Sequence, residues 1–390
     1  MNTKIFSFVL PTKIVFGAGC RRQLASALGE LGVGRPLVVT DRGVLKAGIL
    51  DRILTELPSE MARFAADGIF SGVEPNPKDR DVAAAAEAYR SVGADCLLAV
   101  GGGSPIDCAK AAGVLIALNA TDIHAVKGRA GNAAVAGPPL ICIPTTAGTG
   151  SEITFSSVIT DTKYHIKMTV KNASTAAKVA LCDPELTLSV PPATTAATGM
   201  DALTHAIEAF TAKCSEPIAD ALALYAMELI YPNLERAVRD GADLEARTAM
   251  LMGSLLAGMA FSHSDVASVH CIAEALGGMY DLPHGVCNAV ILPYMMEYNL
   301  DWCVERYARV ADAFGLTGYG QDAAQRARQA VDAVRELAVR IGLPAFSELG
   351  VRMDDFRALA VNSYRNNSTL SNPRPMQKRD YLNMLCIMQG

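Results

Sequence analysis

The chain has 390 residues, 51% of them hydrophobic and 19% charged, which is enough for a large buried core and comfortable for two domains. A net charge of −5 excludes the basic surface that nucleic acid requires. No apolar run reaches the roughly 18 residues of a membrane span, and the N-terminus lacks the apolar core of a signal peptide.

The first half alternates between strand-like and helix-like stretches. TKIVFGAG predicts a strand and turn, RRQLASALGEL a helix ending near Gly32, and RPLVVTD a buried strand. GVLKAGILDRILTEL predicts one helix, and MARFAADGI a further strand region. DVAAAAEAYRSVG predicts a helix and ADCLLAVGGGS a buried strand running into glycines. PIDCAKAAGVLIALN predicts a helix from Pro105, with Asp107 in its first turn, and PLICIPTTAG another strand. Apolar strands without polarity alternation, interleaved with helices, indicate a parallel sheet covered on both faces. DPELTLSVPP, with its three prolines, marks a hinge. Long helical patterns follow: ATTAATGMDALTHAIEAFTA, PIADALALYAMELIYPNLERAV, LEARTAMLMGSLLAGMAFS and AAQRARQAVDAVRELAVRIG. The expected organisation is an α/β dinucleotide-binding domain over 1–185 and an all-helical domain over 186–390. The ten cysteines are scattered singly, several of them (Cys96, Cys142, Cys182) inside apolar runs, which fits free thiols in a reducing cytoplasm.

The chemistry concentrates between Gly199 and Val286. Asp201 and His205 in GMDALTHAIEAF are one helical turn apart and stack on one face. His270 and Glu274 in SVHCIAEALGG share another helix face, which Gly277-Gly278 is expected to end. His284 follows Pro283 and opens a further helix. One carboxylate and three imidazoles suit a divalent ion such as iron or zinc and leave coordination positions open for catalysis. Each such residue on its own is more often a satisfied core or surface side chain. His263, seven residues before His270, is expected two turns back on the same helix, in a structural role or supporting the metal ligands from behind. His124 and His165 have no partner visible in sequence.

Three upstream features suit a dinucleotide. Gly101-Gly102-Gly103-Ser104 joins a strand to a helix N-terminus, where backbone N–H groups can meet a phosphate, although a tight structural turn needs the same residues. Asp41 ends the LVVT strand, where a carboxylate can bind a ribose or simply cap a turn. Thr145, Thr146 and Thr149 lie among small residues in IPTTAGTGSE.

Taken together, GGGSPID, PTTAGTGSE, GMDALTHAIEAF and LPHGVCNAVILPYMMEYN resemble the iron-containing (group III) alcohol dehydrogenases. The resemblance runs from LPTKIVFGAG nearly to the C-terminus. It implies the dehydroquinate synthase-like fold, Fe2+ (or Zn2+) on Asp201, His205, His270 and His284, and NAD as cofactor. It also implies cofactor contacts at Asp41, Asn76, Gly102, Gly103, Ser104, Thr145, Thr146, Thr149, Thr154, Lys167 and Leu186, with Asp41 favouring NAD over NADP. Many members carry a second histidine four residues after the third ligand. Here that position is Glu274, which with His270 is the candidate catalytic pair, so the resemblance does not supply the proton route. The expectation is an NAD-dependent alcohol dehydrogenase interconverting a small primary alcohol and its aldehyde, cytoplasmic, and a homodimer or larger homo-oligomer. A polyol or hydroxyacid dehydrogenase and a dehydroquinate-synthase-like lyase share the motifs. A metallohydrolase would leave the glycine and Asp41 features unexplained, and a non-catalytic metal-binding scaffold would show no NAD binding by calorimetry.

Overall fold

The computed structural model describes residues 5–125, 136–171, 175–316, 318 and 320–390. The chain forms two compact units: Leu10–Thr146 with Ser151–Val190, and Met1–Val9 with Ala147–Gly150 and Pro191–Gly390.

The α/β unit runs β1 (Lys13–Phe16), α1 (Leu24–Glu30), β2 (Pro36–Val39), α2 (Arg42–Lys46), α3 (Ile49–Leu54), α4 (Ser59–Asp67), β3 (Ile69–Phe70), α5 (Asp79–Ser91), β4 (Cys96–Gly101), α6 (Gly103–Ala117), β5 (Leu140–Pro144), β6 (Ser156–Asp161), β7 (Ile166–Lys171) and β8 (Val179–Cys182). Six strands form a parallel sheet in the order β1-β8-β5-β4-β2-β3, while β6 and β7 pair as an antiparallel hairpin. Every residue of β2, β4, β5 and β8 is buried, which is why these strands read as unbroken apolar runs. Neighbours along β4 serve opposite faces. Leu97 and Ala99 join one apolar cluster with Ala111 and Leu115 of α6; Leu98 and Val100 join the other with Leu24 and Leu28 of α1.

Two sequence expectations are corrected here. MARFAADGI is mostly helix α4, with only Ile69 and Phe70 in strand pairing. Its alanines favour helix, and the strand signal came from the few residues beside β2. GVLKAGILDRILTEL is two helices, α2 and α3, separated at Ala47 and Gly48.

The helical unit comprises α7 (Pro192–Thr211), α8 (Pro217–Arg239), α9 (Leu244–Ser264), α10 (Ser268–Tyr280), α11 (His284–Asn299), α12 (Val304–Ala313), α13 (Ala323–Arg340), α14 (Phe356–Arg365) and α15 (Lys378–Gln389). From Thr195 to Thr211, α7 is buried at every position but Thr198, so it is the central helix of this unit. Its polar residues therefore sit inside the core, where each needs a partner. Among the described residues no helix is long and apolar enough to cross a membrane.

Two expectations about the metal-bearing segment also change. His263 belongs to α9, not to the helix of His270; the chain breaks at Asp265 (φ 68), whose carboxylate accepts from Ser368 and Ser371 hydroxyls at 2.9 and 2.7 Å. Helix α10 continues through Gly277-Gly278 to Tyr280 and stops at Asp281 (φ 55). Both glycines are buried, so tertiary packing outweighs their low helix propensity.

Candidate active site

Three helices of the helical unit supply a compact donor set. Asp201 and His205 lie on α7, His270 on α10 and His284 at the first position of α11. One donor atom from each lies within 4.8 Å of all the others. Proximity of α11 to α7 depends on Gly285: a Cβ there would stand 2.6 Å from the Ala197 carbonyl oxygen. Asp201, His205 and His270 are buried, while the His284 side chain keeps 29% of its exposure, leaving one side of the set open.

Two further residues complete the arrangement. Glu208, two turns after Asp201 on the same face of α7, is buried; its Oε2 accepts from His270 Nδ1 at 2.5 Å and its Oε1 from Val269 N–H at 2.8 Å. This fixes the ring so that Nε2 faces the donor set. Asn288 Nδ2 lies 2.6 Å from Asp201 Oδ1 and 3.1 Å from Nε2 of both His270 and His284. The lone pairs of three donors thus converge on one electropositive group, which is the arrangement a cation requires. The residues fit a divalent transition metal.

The electrostatics agree. Burial, which favours neutral imidazole, lowers the His205 pKa to about 3. Burial alone would raise the Asp201 pKa, but the charges of His205, His284 and His270 and the Asn288 amide outweigh it and lower the pKa. At His270 burial opposes protonation, and the Glu208 hydrogen bond and charge prevail, raising the pKa. A metal at Nε2 competes with that proton, so binding at this site releases protons. Phe261 stacks on His205 at 4.3 Å between ring centroids and gives the site an apolar wall.

Glu274 sits one turn after His270, and its Oε2 accepts from Asn366 Nδ2 at 2.7 Å. The structure does not bring His263 to the donor set: its ring stacks on Phe8 at 3.8 Å, and Nδ1 meets the Met259 carbonyl at 2.9 Å.

The dinucleotide candidates of the α/β unit gather mainly at the carboxyl ends of parallel strands. From β2 the chain goes to β3 on one side and returns to β4 on the other, so β2 and β4 flank the topological switch point. Asp41 follows β2 and caps α2, its Oδ1 accepting from Val44 N–H at 2.9 Å. Gly102, Gly103 and Ser104 follow β4, and the helix begins at Gly103, earlier than expected. Asp107 therefore lies beyond the first turn, half-buried, with Oδ2 accepting from Val158 N–H at 2.8 Å and Oδ1 from the Ser151 hydroxyl. Only glycine suits Gly101 (φ 151), where a Cβ would stand 2.6 Å from Pro105 Cγ. A Cβ on Gly102 would stand 3.0 Å from Thr146 Oγ1, so the glycine and threonine loops lie side by side. Thr145 N–H donates to the Gly101 carbonyl at 3.0 Å. Asn76 (φ 54) follows β3 and accepts from Lys167 Nζ at 2.8 Å. Leu186 is fully buried with the apolar cluster of α1, and Thr149 lies in the segment Ala147–Gly150 of the helical unit.

Sequence reasoning missed Lys110. It is 1% exposed, and its ammonium donates to the carbonyls of Thr154 and Ser156 at 2.9 and 3.0 Å, to Thr154 Oγ1 at 2.8 Å, and to the Ser151 carbonyl. Thr154 thus meets an internal lysine through both its hydroxyl and its carbonyl. The local sequence offered only a lysine in an alanine-rich helix, which reads as a surface residue. Glu208 and Asn288 did leave a signal, since each repeats the helical spacing of an already suspected ligand, Asp201 and His284.

Comparison with known proteins agrees with this geometry. Residues 11–184 match the model of the iron-containing alcohol dehydrogenase family, and residues 195–387 match that of the C-terminal region of the Fe-containing alcohol dehydrogenase family. The chain is 38% identical over 385 residues to the 1,3-propanediol dehydrogenase of Citrobacter freundii, covering 97% of this chain and 98% of that protein. It is 36% identical to the NAD-dependent methanol dehydrogenase of Bacillus methanolicus, covering 96% and 97%. A crystal structure of 1,3-propanediol oxidoreductase superposes with a TM-score of 0.91 at 36% identity, covering 99% of this chain and all of that one. The chain belongs to the iron-containing alcohol dehydrogenase family.

Proposed function

We propose that the protein is an NAD-dependent, divalent-metal alcohol dehydrogenase that interconverts a small primary alcohol and its aldehyde. The observation that carries this reading is the convergence of Asp201, His205, His270 and His284 donors within 4.8 Å. The switch-point placement of Asp41 and the glycine loop supports a dinucleotide on the α/β unit. When bound, the divalent ion, Fe2+ by family and Zn2+ by ligand chemistry, supplies Lewis-acid polarisation of the alcohol oxygen, and NAD supplies the hydride acceptor.

The chain's own residues bind and orient. Asp201, His205, His270 and His284 hold the ion, and Glu208 keeps His270 Nε2 aimed at it. Phe261 excludes water beside His205. Backbone N–H groups at the start of α6 and the hydroxyls of Ser104, Thr145 and Thr146 receive the pyrophosphate region; Asp41 receives the ribose. Glu274, one turn after His270 and hydrogen-bonded to Asn366, acts in a water relay or in the substrate pocket, not as a direct base. The ten free cysteines fit a cytoplasmic enzyme, and we expect a homodimer or larger homo-oligomer acting on small molecules only.

A second reading rests on the Glu274–Asn366 pair. This polar pair one turn from His270 favours a substrate with a further hydroxyl, a polyol or hydroxyacid. Steady-state rates with NAD over a panel of simple alcohols, diols and hydroxyacids separate the two readings. No NADH formation with any of them in metal-loaded enzyme would overturn both and leave the lyase alternative. Glu274→Gln is expected to retain the metal and lower kcat about tenfold, ~1.4 kcal/mol of barrier; loss of metal in that variant would make Glu274 a ligand.

A further inference from the structure

A second cluster lies in the α/β unit, separate from the four donors of the helical unit and next to the Asn76–Lys167 pair, since Thr160 pairs with Lys167 and donates to the Asn76 carbonyl. His124, in the 3-10 turn Ile123–Ala125, stands between two aspartates. Its Nε2 is 3.2 Å from Asp79 Oδ2 at the start of α5, and its Nδ1 is 3.5 Å from Asp161 Oδ2 at the end of β6. One donor atom from each of the three residues lies within 4.8 Å of the others.

We propose that Asp79, His124 and Asp161 form a second divalent-cation site of the zinc class, with water completing the coordination shell. Charge is the first argument. The aspartate side chains are only 13% and 3% exposed, and among the described residues neither forms an ion pair with lysine or arginine. One imidazolium leaves the triad at −1; a divalent cation with neutral imidazole brings it to zero. Orientation is the second. The distal oxygens are held from behind: Asp79 Oδ1 accepts from the Thr162 hydroxyl at 2.9 Å and from Arg80 N–H at 2.8 Å, and Asp161 Oδ1 from Lys163 and Tyr164 N–H at 3.0 and 2.9 Å. Asp161 therefore points its remaining oxygen at the imidazole, as ligating carboxylates do, and Asp79 Oδ2 faces the ring while also accepting from Thr162 N–H at 3.2 Å and the Thr162 hydroxyl at 3.1 Å. Access is the third. The His124 side chain is 34% exposed, which gives an ion an entry path and room for water. Two carboxylate oxygens and an imidazole nitrogen suit Zn2+, Co2+ or Ni2+ better than thiol-seeking ions.

Such an ion would tie together three distant segments: the start of α5, the turn at Ile123–Ala125 and the turn between β6 and β7. β7 carries Lys167, whose Nζ meets Asn76 Oδ1 at 2.8 Å. The site is a structural clip on that hairpin and does not depend on the metal centre of the helical unit.

The test counts metals. Full-length enzyme is stripped with chelator, titrated with Zn2+ and assayed for bound metal, alongside His124→Ala, His270→Ala and the double variant. The expected stoichiometry is two per chain in the wild type, one in each single variant and none in the double. Loss of one equivalent in His270→Ala alone concerns the helical-unit centre, whereas loss in His124→Ala alone concerns this site. Stripped His270→Ala loaded with Co2+ should also show a visible absorption band that Asp161→Asn abolishes. If wild type and His124→Ala bind the same number of Zn2+ ions, or if the Co2+ band survives Asp161→Asn, the triad is a protonated-imidazole clasp and the proposal falls.

Discussion

Glu208 shows how much one carboxylate settles. It holds the Val269 backbone and His270 Nδ1 at once, so removing it frees the ring of a proposed ligand while leaving all four donors in place. Glu208→Ala is therefore expected to weaken divalent-metal affinity about 10–100-fold, the range seen when a ligand's supporting partner is lost. Metal competition against a chromophoric chelator checks this, and unchanged affinity would show that His270 needs no orienting partner. Glu152 is a different case. It is 2% exposed, and its Oε1 has no hydrogen-bond partner among the described residues. Burial pushes its pKa up from 4.5 to about 7. Below the lower value the carboxyl is protonated in both folded and unfolded chains and contributes nothing to pH dependence. Between the two values only the unfolded chain releases the proton, so stability falls as pH rises; above about 7 the loss is complete. The full loss is about 3 kcal/mol. Glu152→Gln cannot ionise, so its stability relative to wild type should improve by roughly 2–3 kcal/mol between about pH 5 and pH 8. Denaturant unfolding of both proteins at the two pH values measures it; parallel pH profiles would show that Glu152 titrates normally.

Among the elements, the short span from β2 into α2 joins a structural role to a functional one. Asp41 caps α2 through Val44 N–H and also ends a strand at the switch point. Asp41→Ser separates the roles, because serine still caps a helix but carries no charge to repel a 2′-phosphate. The expected outcome is an unchanged melting temperature and an NADP/NAD ratio of kcat/KM raised about tenfold, ~1.4 kcal/mol. An unchanged ratio would place Asp41 away from the ribose. What the sequence disclosed and what it hid also divide by element. Buried parallel strands such as CLLAV and LICI were legible because their apolar runs are short and lie between helices. The α7 donors were legible because their spacing matches a helical turn. The α9–α10 break was not legible: it depends on Asp265 adopting a positive φ and being held by Ser368 and Ser371, about a hundred residues away in sequence. Lys110 was hidden for the same reason, since its partners Ser151 to Ser156 belong to another segment. Helix α10 passing through Gly277-Gly278 shows tertiary burial overriding a local stop signal.

At the scale of the whole molecule, the two units have separate cores. The helical unit holds one apolar cluster built on α7 to α15, and the α/β unit holds two, one on each face of its sheet. The proposed ligands all come from α7, α10 and α11, so an ion held by them would bridge helices of one core only. A ligand that binds only the folded state adds RT ln(1 + [L]/Kd), about 4 kcal/mol when the ion is at 1,000 times its Kd. Stripping that metal should therefore loosen the helical unit first. It leaves Asp201 buried with only imidazoles and the Asn288 amide to compensate its charge. Native-state hydrogen exchange on metal-loaded and stripped enzyme reads this directly. Amides of α7, α10 and α11 should lose protection while those of β2, β4 and β5 keep it, and His124→Ala should not change that pattern. Equal loss across both units, or protection in α7 indifferent to metal, would show that Asp201, His205, His270 and His284 do not hold the ion that stabilises this fold.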